Sequence, residues 1–202
     1  LAVDENGELI DGDKILAICG MAMKQQNTLK NDTIVATIMS NMGLSLLAKK
    51  QGIQIEQTNV GDRYVLERMI EKNYNLGGEQ SGHIIFLDYN TTGDGILTAI
   101  QFLTVMKKTG KKASELANMM ETMPQVLVNA KVNNSKKNDY MKVPEIKQAI
   151  ENLNAKFNGE GRVLIRTSGT EPLVRVMIEG KDLEVMQKEA EKLAELISEK
   201  LQ

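Results

Sequence analysis

The chain has little of several residue types that mark specialised classes of protein. It contains one cysteine, one histidine and no tryptophan among 202 residues. A single cysteine cannot form an internal disulfide. Cys19 lies among apolar residues, where a buried small hydrophobe is the expected role rather than a nucleophile. This pattern predicts a protein of the reducing cytoplasm.

Long apolar runs and an excess of positive charge are also missing. No apolar run approaches the roughly 20 residues that a membrane-spanning helix needs. Lys and Arg number 25 against 27 Asp and Glu, so no overall positive field attracts nucleic acid or an anionic membrane. Three Phe and four Tyr offer few surfaces on which bases could stack. We expect neither nucleic-acid nor membrane partners, and any anion site must be local.

What is present is enough apolar sequence for a globular core, 42% of the residues. Over residues 1–123, short strand-like runs alternate with amphipathic helical patterns. Residues 33–37 read as a buried strand. Residues 96–108 read as a helix with an apolar stripe formed by Ile96, Ala99, Ile100 and Leu103. The alternation predicts an α/β domain, a mixed sheet with flanking helices.

The pattern changes near Met123 and Pro124. Residues 124–202 read as a strand, a helix, two further strands and a closing helix. This order predicts a small α+β domain in which an antiparallel sheet is covered by two helices. We therefore place a domain boundary between residues 123 and 124.

One loop in the second predicted domain has the composition of a phosphate site. It offers two arginines, two hydroxyls and a glycine: Arg166, Ser168, Gly169, Thr170 and Arg175. Arginine binds phosphate bidentately and stays charged, and Gly169 could adopt a positive φ that forms a nest of backbone N–H groups. The alternative is a tight hairpin turn whose arginines cap strand ends or pair with Glu171 and Glu179.

A loop in the first predicted domain has the composition of a sugar site. It reads Gly78-Glu79-Gln80-Ser81-Gly82-His83. The Glu79 carboxylate can accept hydrogen bonds from two neighbouring hydroxyls, and Ser81 and His83 can donate or accept. The alternative is a polar loop whose His83 begins a strand and is satisfied internally.

Two other polar segments precede helices. Asp62 and Arg63 lie at the start of a helix, where Asp62 is expected to act as an N-cap and Arg63 as a second anion partner. Residues 11–13 hold two aspartates, which we interpret as helix-capping groups rather than a metal loop.

Taken together and in this order, these motifs resemble the α-D-phosphohexomutase superfamily. The resemblance runs from residue 1 to about residue 199 and rests on four segments: Gly61-Asp62-Arg63-Tyr64-Val65, residues 77–83, Thr92-Gly93-Asp94-Gly95 and residues 166–175. Gln80 favours the glucosamine-phosphate branch over phosphomannomutase and phosphoglucomutase relatives. Members have four domains, so the resemblance implies that this chain holds the third and fourth, a C-terminal fragment. The absence of an initial methionine agrees with that expectation.

The resemblance implies a function for the whole protein. A phosphoserine in the first domain would convert glucosamine 6-phosphate to glucosamine 1-phosphate through a 1,6-bisphosphate. The second domain would bind Mg²⁺, so the fragment is expected to hold neither metal nor catalytic serine and to be inactive alone. By motif, the sugar-binding residues would be Glu79, Gln80, Ser81, His83, Asp62 and Arg63, and the phosphate-binding residues Arg166, Ser168, Gly169, Thr170 and Arg175.

The implied partners are a hexosamine phosphate substrate and the N-terminal domains of the same protein. A homodimer of the full-length enzyme is compatible with this interpretation. Two alternatives stay open: a stand-alone sugar-phosphate-binding or regulatory module, and a phosphomannomutase or phosphoglucomutase relative.

Overall fold

The computed structural model describes residues 1–202 and separates into two compact units, Leu1–Thr122 and Met123–Gln202. Each unit has its own buried apolar cluster. None of the helices combines the length and the apolar composition needed to cross a membrane.

The first unit is built from strands and helices that alternate along the chain. Its elements are β1 (Ala2–Val3), β2 (Leu9–Ile10), α1 (Gly12–Gln25), β3 (Thr33–Thr37), α2 (Met42–Lys50), β4 (Gln54–Thr58), α3 (Asp62–Lys72), β5 (Leu76–Gly78), β6 (Ile84–Phe86), α4 (Gly95–Thr109) and α5 (Ala113–Ala117). Strands β1 and β2 form an antiparallel hairpin. The main sheet has the order β4-β3-β5-β6, with β3 parallel to β4 and to β5 and with β6 antiparallel to β5.

The main sheet of the first unit is covered on both faces. All five residues of β3 are buried, as expected for a strand with helices on each side. Successive side chains of a strand point to opposite faces. Ile34 packs in the cluster of α1, α2 and α4, whereas Val35 packs with Val65 and Met69 of α3. The predicted mixed sheet with flanking helices is confirmed.

The second unit is a small antiparallel sheet with two helices. Its elements are β7 (Gln125–Lys131), a 3₁₀ helix (Lys137–Lys142), α6 (Pro144–Phe157), β8 (Arg162–Thr167), β9 (Leu173–Glu179) and α7 (Leu183–Lys200). The strand order is β7-β9-β8, and both pairings are antiparallel. On the central strand, Val174, Val176 and Ile178 are fully buried in the cluster that includes residues of α6 and α7. The predicted α+β arrangement is confirmed.

The structure departs from the sequence pattern in two places. The sequence did not indicate β5, because its Leu-Gly-Gly composition lacks the β-branched and aromatic residues that strands favour. The apolar stripe of α4 was expected to pack, yet Ile96, Ala99, Ile100 and Leu103 are exposed and the helix buries Thr98, Phe102 and Val105 instead. An apolar stripe fixes one side of a helix but not which side meets the sheet.

Candidate functional site

The predicted sugar loop lies at one edge of the main sheet in the first unit. Strands β3, β4 and β5 are parallel, so the loops after their carboxyl ends meet at the same edge, the usual ligand crevice of such sheets. A cavity of about 410 Å³ opens there. Its lining includes Thr37 at the end of β3, Met39 after that strand, Val60 after β4, and Glu79, Gln80 and Ser81 after β5.

Glu79 is a largely buried carboxylate at this edge. One carboxylate oxygen, Oε1, accepts a hydrogen bond from the Gly61 backbone N–H at 3.0 Å. The other, Oε2, lies 3.9 Å from Nδ1 of His83. Only 12% of the Glu79 side chain is exposed, against 62% for His83. The structure thus joins Glu79 to the start of α3, and the His83 ring forms no internal hydrogen bond, contrary to the alternative interpretation of this loop.

The sugar loop itself is closed by backbone hydrogen bonds. The N–H of Glu79 donates to the His83 carbonyl at 2.9 Å, and the N–H of Gly82 donates to the Glu79 carbonyl at 2.9 Å. Gly82 has φ +107°, a conformation that favours glycine. The loop is a tight reversal between β5 and β6, so its shape does not depend on a ligand.

The first turn of α1 supports the same loop, which the sequence did not indicate. The N–H of Gly12 donates to the Gln80 carbonyl at 2.9 Å. A Cβ atom at Gly12 would lie 2.0 Å from the Glu79 carbonyl oxygen, so only glycine fits this approach. The available signal was a glycine directly after an N-cap aspartate, which is too common to identify a contact with residue 80.

The two aspartates of residues 11–13 serve the scaffold. Asp11 caps α1 by accepting a hydrogen bond from the Lys14 N–H at 3.0 Å. Asp13 is buried, and its Oδ2 accepts from the Asn41 N–H at 2.7 Å, which holds the loop after β3. No group of three or more His, Cys, Asp and Glu side chains in the chain could hold a metal ion.

Asp62 differs from expectation, and Arg63 has an ion-pair partner on its own helix. The N-cap of α3 is Gly61, with φ +130°, and Asp62 is the first helical residue. The Asp62 carboxylate accepts from the Arg63 N–H at 2.9 Å. Arg63 forms an ion pair with Glu67 at 2.7 Å on an exposed surface, and this hydrogen-bonded partner raises the pKa of the guanidinium. Asp62 is therefore not the N-cap, although the segment adjoins Glu79 through Gly61.

In the second unit, the two predicted phosphate-binding arginines are cross-strand neighbours. Arg166 of β8 pairs in register with Arg175 of β9. Directly opposed residues of antiparallel strands share a face, and like charges in this position are destabilising. Arg166 forms no ion pair, whereas Arg175 contacts a Glu171 oxygen at 3.3 Å. The Nε of Arg175 is buried and has no hydrogen-bond partner. An anion bound between the two guanidinium groups would relieve their repulsion.

The turn between these strands is partly satisfied by itself. The Ser168 N–H donates to the Leu173 carbonyl at 2.9 Å, and Ser168 Oγ accepts from the Glu171 N–H at 3.2 Å. Gly169 and Thr170 are exposed. The expected positive φ at Gly169 is wrong, because this glycine does not adopt one. No atom lies within 4 Å of the position a Gly169 Cβ would take, so the space beside it is open.

Comparison with known families decides the classification. Residues 11–123 match the family model described as phosphoglucomutase/phosphomannomutase, alpha/beta/alpha domain III. Residues 127–196 match the model for the phosphoglucomutase/phosphomannomutase C-terminal domain. The chain belongs to the phosphoglucomutase/phosphomannomutase family.

Curated relatives within this family share more than half of their aligned residues with the chain. A phosphoglucosamine mutase of Ruminiclostridium cellulolyticum is 61% identical over 201 residues, which is 100% of this chain and 45% of the relative. A phosphoglucosamine mutase of Thermoanaerobacter sp. strain X514 is 59% identical over the same extent. The chain therefore spans about half the length of the curated relatives it matches.

Solved structures of the family share the fold. A structure of Aspergillus fumigatus N-acetylphosphoglucosamine mutase superposes with a TM-score of 0.80 at 20% identity, covering 98% of this chain and 45% of that chain. An N-acetylglucosamine-phosphate mutase in its substrate complex superposes with a TM-score of 0.69 at 22% identity, covering 98% of this chain and 45% of the other. At such identities these likenesses describe the fold alone.

Proposed function

We propose that this chain is the C-terminal part of a phosphosugar mutase that interconverts glucosamine 6-phosphate and glucosamine 1-phosphate. The observation that carries the proposal is the 61% identity to a curated phosphoglucosamine mutase over the whole chain. The local geometry supports it, since one loop presents a fixed carboxylate beside a cavity and the other presents two facing arginines. The alternative of a stand-alone binding module has no specific observation in its favour.

The first domain, residues 1–123, is assigned the sugar. Glu79 and Ser81 would contact ring hydroxyls from the cavity wall, and Gln80 and His83 would support them. The Gly61 N–H holds one Glu79 oxygen, which leaves the second oxygen to accept from the sugar. Asp62 and Arg63 would border the site on the helix that follows Gly61.

The second domain, residues 124–202, is assigned the phosphate that is not being transferred. The groups involved would be the side chains of Arg166 and Arg175, the hydroxyls of Ser168 and Thr170, and the backbone at Gly169. A phosphate dianion between the arginines would accept from the N–H groups of their guanidinium ends. Charge-assisted hydrogen bonds of this kind contribute about 1.5–3 kcal/mol each.

The reaction assigned to the whole protein has two phosphoryl transfers. A phosphoserine outside this chain gives its phosphoryl group to the free hydroxyl of the substrate, which yields a 1,6-bisphosphate. The intermediate then reorients in the site. Its other phosphoryl group is transferred to the serine, which restores the phosphoserine. Mg²⁺ would neutralise phosphoryl charge from its own loop, and no residue set here fits that ion.

Separate recognition of the sugar ring and of the phosphate suits this reorientation of the intermediate. A carboxylate can accept from either of two adjacent hydroxyls, so Glu79 could hold the sugar in both orientations. The arginine pair recognises a phosphate irrespective of the carbon that carries it. Positioning of this kind is the main contribution that binding residues make to phosphoryl transfer.

An NMR titration of the 202-residue chain tests the proposal. Addition of glucosamine 6-phosphate is expected to shift the amide signals of residues 78–83 and 168–170 saturably. Inorganic phosphate should shift only the second set, and glucosamine without phosphate serves as the control for the first. No saturable shift of either set with the phosphosugar would reject the site assignment.

A further inference from the structure

Lys137 contacts the phosphate loop from outside the predicted motif. It begins the 3₁₀ helix after β7, and its Nζ donates to the Ser168 carbonyl at 2.7 Å. The same ammonium lies 3.5 Å from the Glu171 carbonyl. Lys137 is half-buried and forms no ion pair with a carboxylate. The ammonium therefore places a positive charge, with no paired carboxylate, next to two carbonyl groups of the loop.

Because the peptide group is rigid, this contact also fixes the direction of the next backbone N–H. A trans peptide is planar, so the Ser168 carbonyl and the Gly169 N–H point in opposite directions. No cis peptide bond occurs in the chain. When Lys137 holds the Ser168 carbonyl on one side, the Gly169 N–H must face the other side. That N–H has no partner within the chain, and Gly169 is exposed.

The charges around the loop also favour an anion. Three cations lie at this loop, Lys137 through its contact with Ser168 and Arg166 and Arg175 as a pair on the flanking strands, and the only carboxylate paired with any of them is that of Glu171. A hydrogen bond from an ammonium polarises the peptide group that receives it, which makes the N–H at its other end a stronger donor. Orientation and polarisation act on the same Gly169 N–H.

We propose that Lys137 is a positioning residue for phosphate recognition, fixing the Ser168–Gly169 peptide so that its N–H donates to a phosphate oxygen of the sugar phosphate. The inference rests on the proposed function and adds to it a residue 31 positions away in sequence. Lys137 acts through the peptide group, so substrate contact is made by the Gly169 amide.

The test compares four forms of the 202-residue chain, each titrated with inorganic phosphate and with glucosamine 6-phosphate by NMR. Lys137→Met removes the charge at similar length, and Lys137→Arg retains it. Lys142→Met is the matched control, because Lys142 ends the same 3₁₀ helix and pairs with Asp139 on an exposed surface. The readouts are the dissociation constant and the shift of the Gly169 amide signal at saturation.

We expect Lys137→Met to weaken phosphate binding by about tenfold, the loss of one charge-assisted contact, and to abolish most of the Gly169 shift. Lys137→Arg should recover most of both, and Lys142→Met should behave as wild type. If Lys137→Met does not fold, the arginine variant decides, since a retained Gly169 shift supports the orientation and a lost one opposes it.

Two results would overturn the inference. One is wild-type affinity and Gly169 shift in Lys137→Met. The other is weaker affinity with an unchanged Gly169 shift at saturation, which would reveal a general charge effect without orientation. Both leave the proposed function intact, whereas a wild-type chain that responds to neither ligand rejects the proposed function itself.

Discussion

The proposed sugar loop, residues 78–83, and the proposed phosphate loop, residues 166–175, are held in place in different ways. Two backbone N–H groups from other elements hold the sugar loop. The Gly12 N–H donates to the Gln80 carbonyl, and the Gly61 N–H donates to the Glu79 carboxylate. The phosphate loop instead gathers cations around an exposed turn, with Arg166 unpaired and Arg175 only partly satisfied. The first loop is held by close packing and hydrogen bonds from other elements. The second is distinguished by positive charge that lacks a partner.

This difference has an energetic meaning. A hydroxyl-rich ring is recognised mainly by hydrogen bonds, which are weak in water and need donors and acceptors already in place. A phosphate dianion is recognised by charge, which acts over a longer range and tolerates a less rigid site. Substitutions that disturb the packing around the sugar loop should therefore affect folding, and those at the phosphate loop should affect binding.

The largest expected effect is that of Gly12→Ala on stability. The new Cβ would lie 2.0 Å from the Glu79 backbone oxygen, and backbone cannot rotate away as a side chain can. Overpacking of this kind costs about 1–3 kcal/mol, and we expect the upper part of that range. Urea denaturation followed through amide signals of the first unit measures the loss.

Gly169→Ala is the matched control in the other loop. Its Cβ would meet no atom within 4 Å, and its φ is not positive, so the free energy of unfolding should change by less than about 0.5 kcal/mol. Equal stability of the two variants would show that the sugar loop is not held by packing and would remove the contrast between the loops.

Arg166→Ala should impair binding with little effect on folding. We expect the affinity for glucosamine 6-phosphate, and turnover in the intact enzyme, to fall by about tenfold or more because a charge-assisted contact is lost. Arg68→Ala is the control, since Arg68 pairs with Glu56 in the first unit. Calorimetric titration and steady-state kinetics measure the effect, and unchanged kinetics would remove Arg166 from the site.

Glu79→Gln should weaken sugar recognition by a smaller factor, about threefold to tenfold, because one ionised acceptor becomes a neutral amide. The remaining amide oxygen can still accept from the Gly61 N–H, so the fold should persist. Affinity for inorganic phosphate, measured in parallel, should stay at the wild-type value. Loss of folding instead would assign Glu79 a structural role.

The smallest expected effect concerns Cys19, whose thiol should not react with a labelling reagent in the folded chain. Burial raises the pKa of its thiol to about 12, so a thiol reagent at pH 8 should leave the native chain unlabelled and label it in urea. The second unit has no cysteine, so labelling reports on the first unit alone. Gly12→Ala should increase labelling and Lys137→Met should not.

The same thiol gives a pH dependence of defined sign. In the unfolded chain an ordinary thiol ionises near pH 8.5, whereas the folded chain keeps its proton up to about pH 12. Because the folded state then binds more protons, stability should fall as the pH rises above about 8.5. Cys19→Ala should reduce this decrease in urea denaturation at pH 8 and pH 10, and an identical decrease in the variant would contradict it.

Much of the fold followed from local pattern. Strand β3 and helix α3 were recognisable from apolar runs and helical spacing, and the two-part organisation followed from the change of pattern near residue 123. Strand β5 was not recognisable, because Gly77 is there for packing. A Cβ at Gly77 would lie 2.6 Å from the Met69 sulfur and 2.8 Å from a Val65 methyl, a requirement invisible without α3 in place.

For the candidate site, the residue types that stand in each loop were evident from composition and short spacing alone. The hydrogen bonds that support the loops became visible only in the folded chain. They join Gly12 to Gln80, Gly61 to Glu79, and Lys137 to Ser168. Each joins segments distant in sequence, and their meeting depends on strand order, register and helix docking. Those are set by the packing of the whole core, which no short stretch of residues encodes.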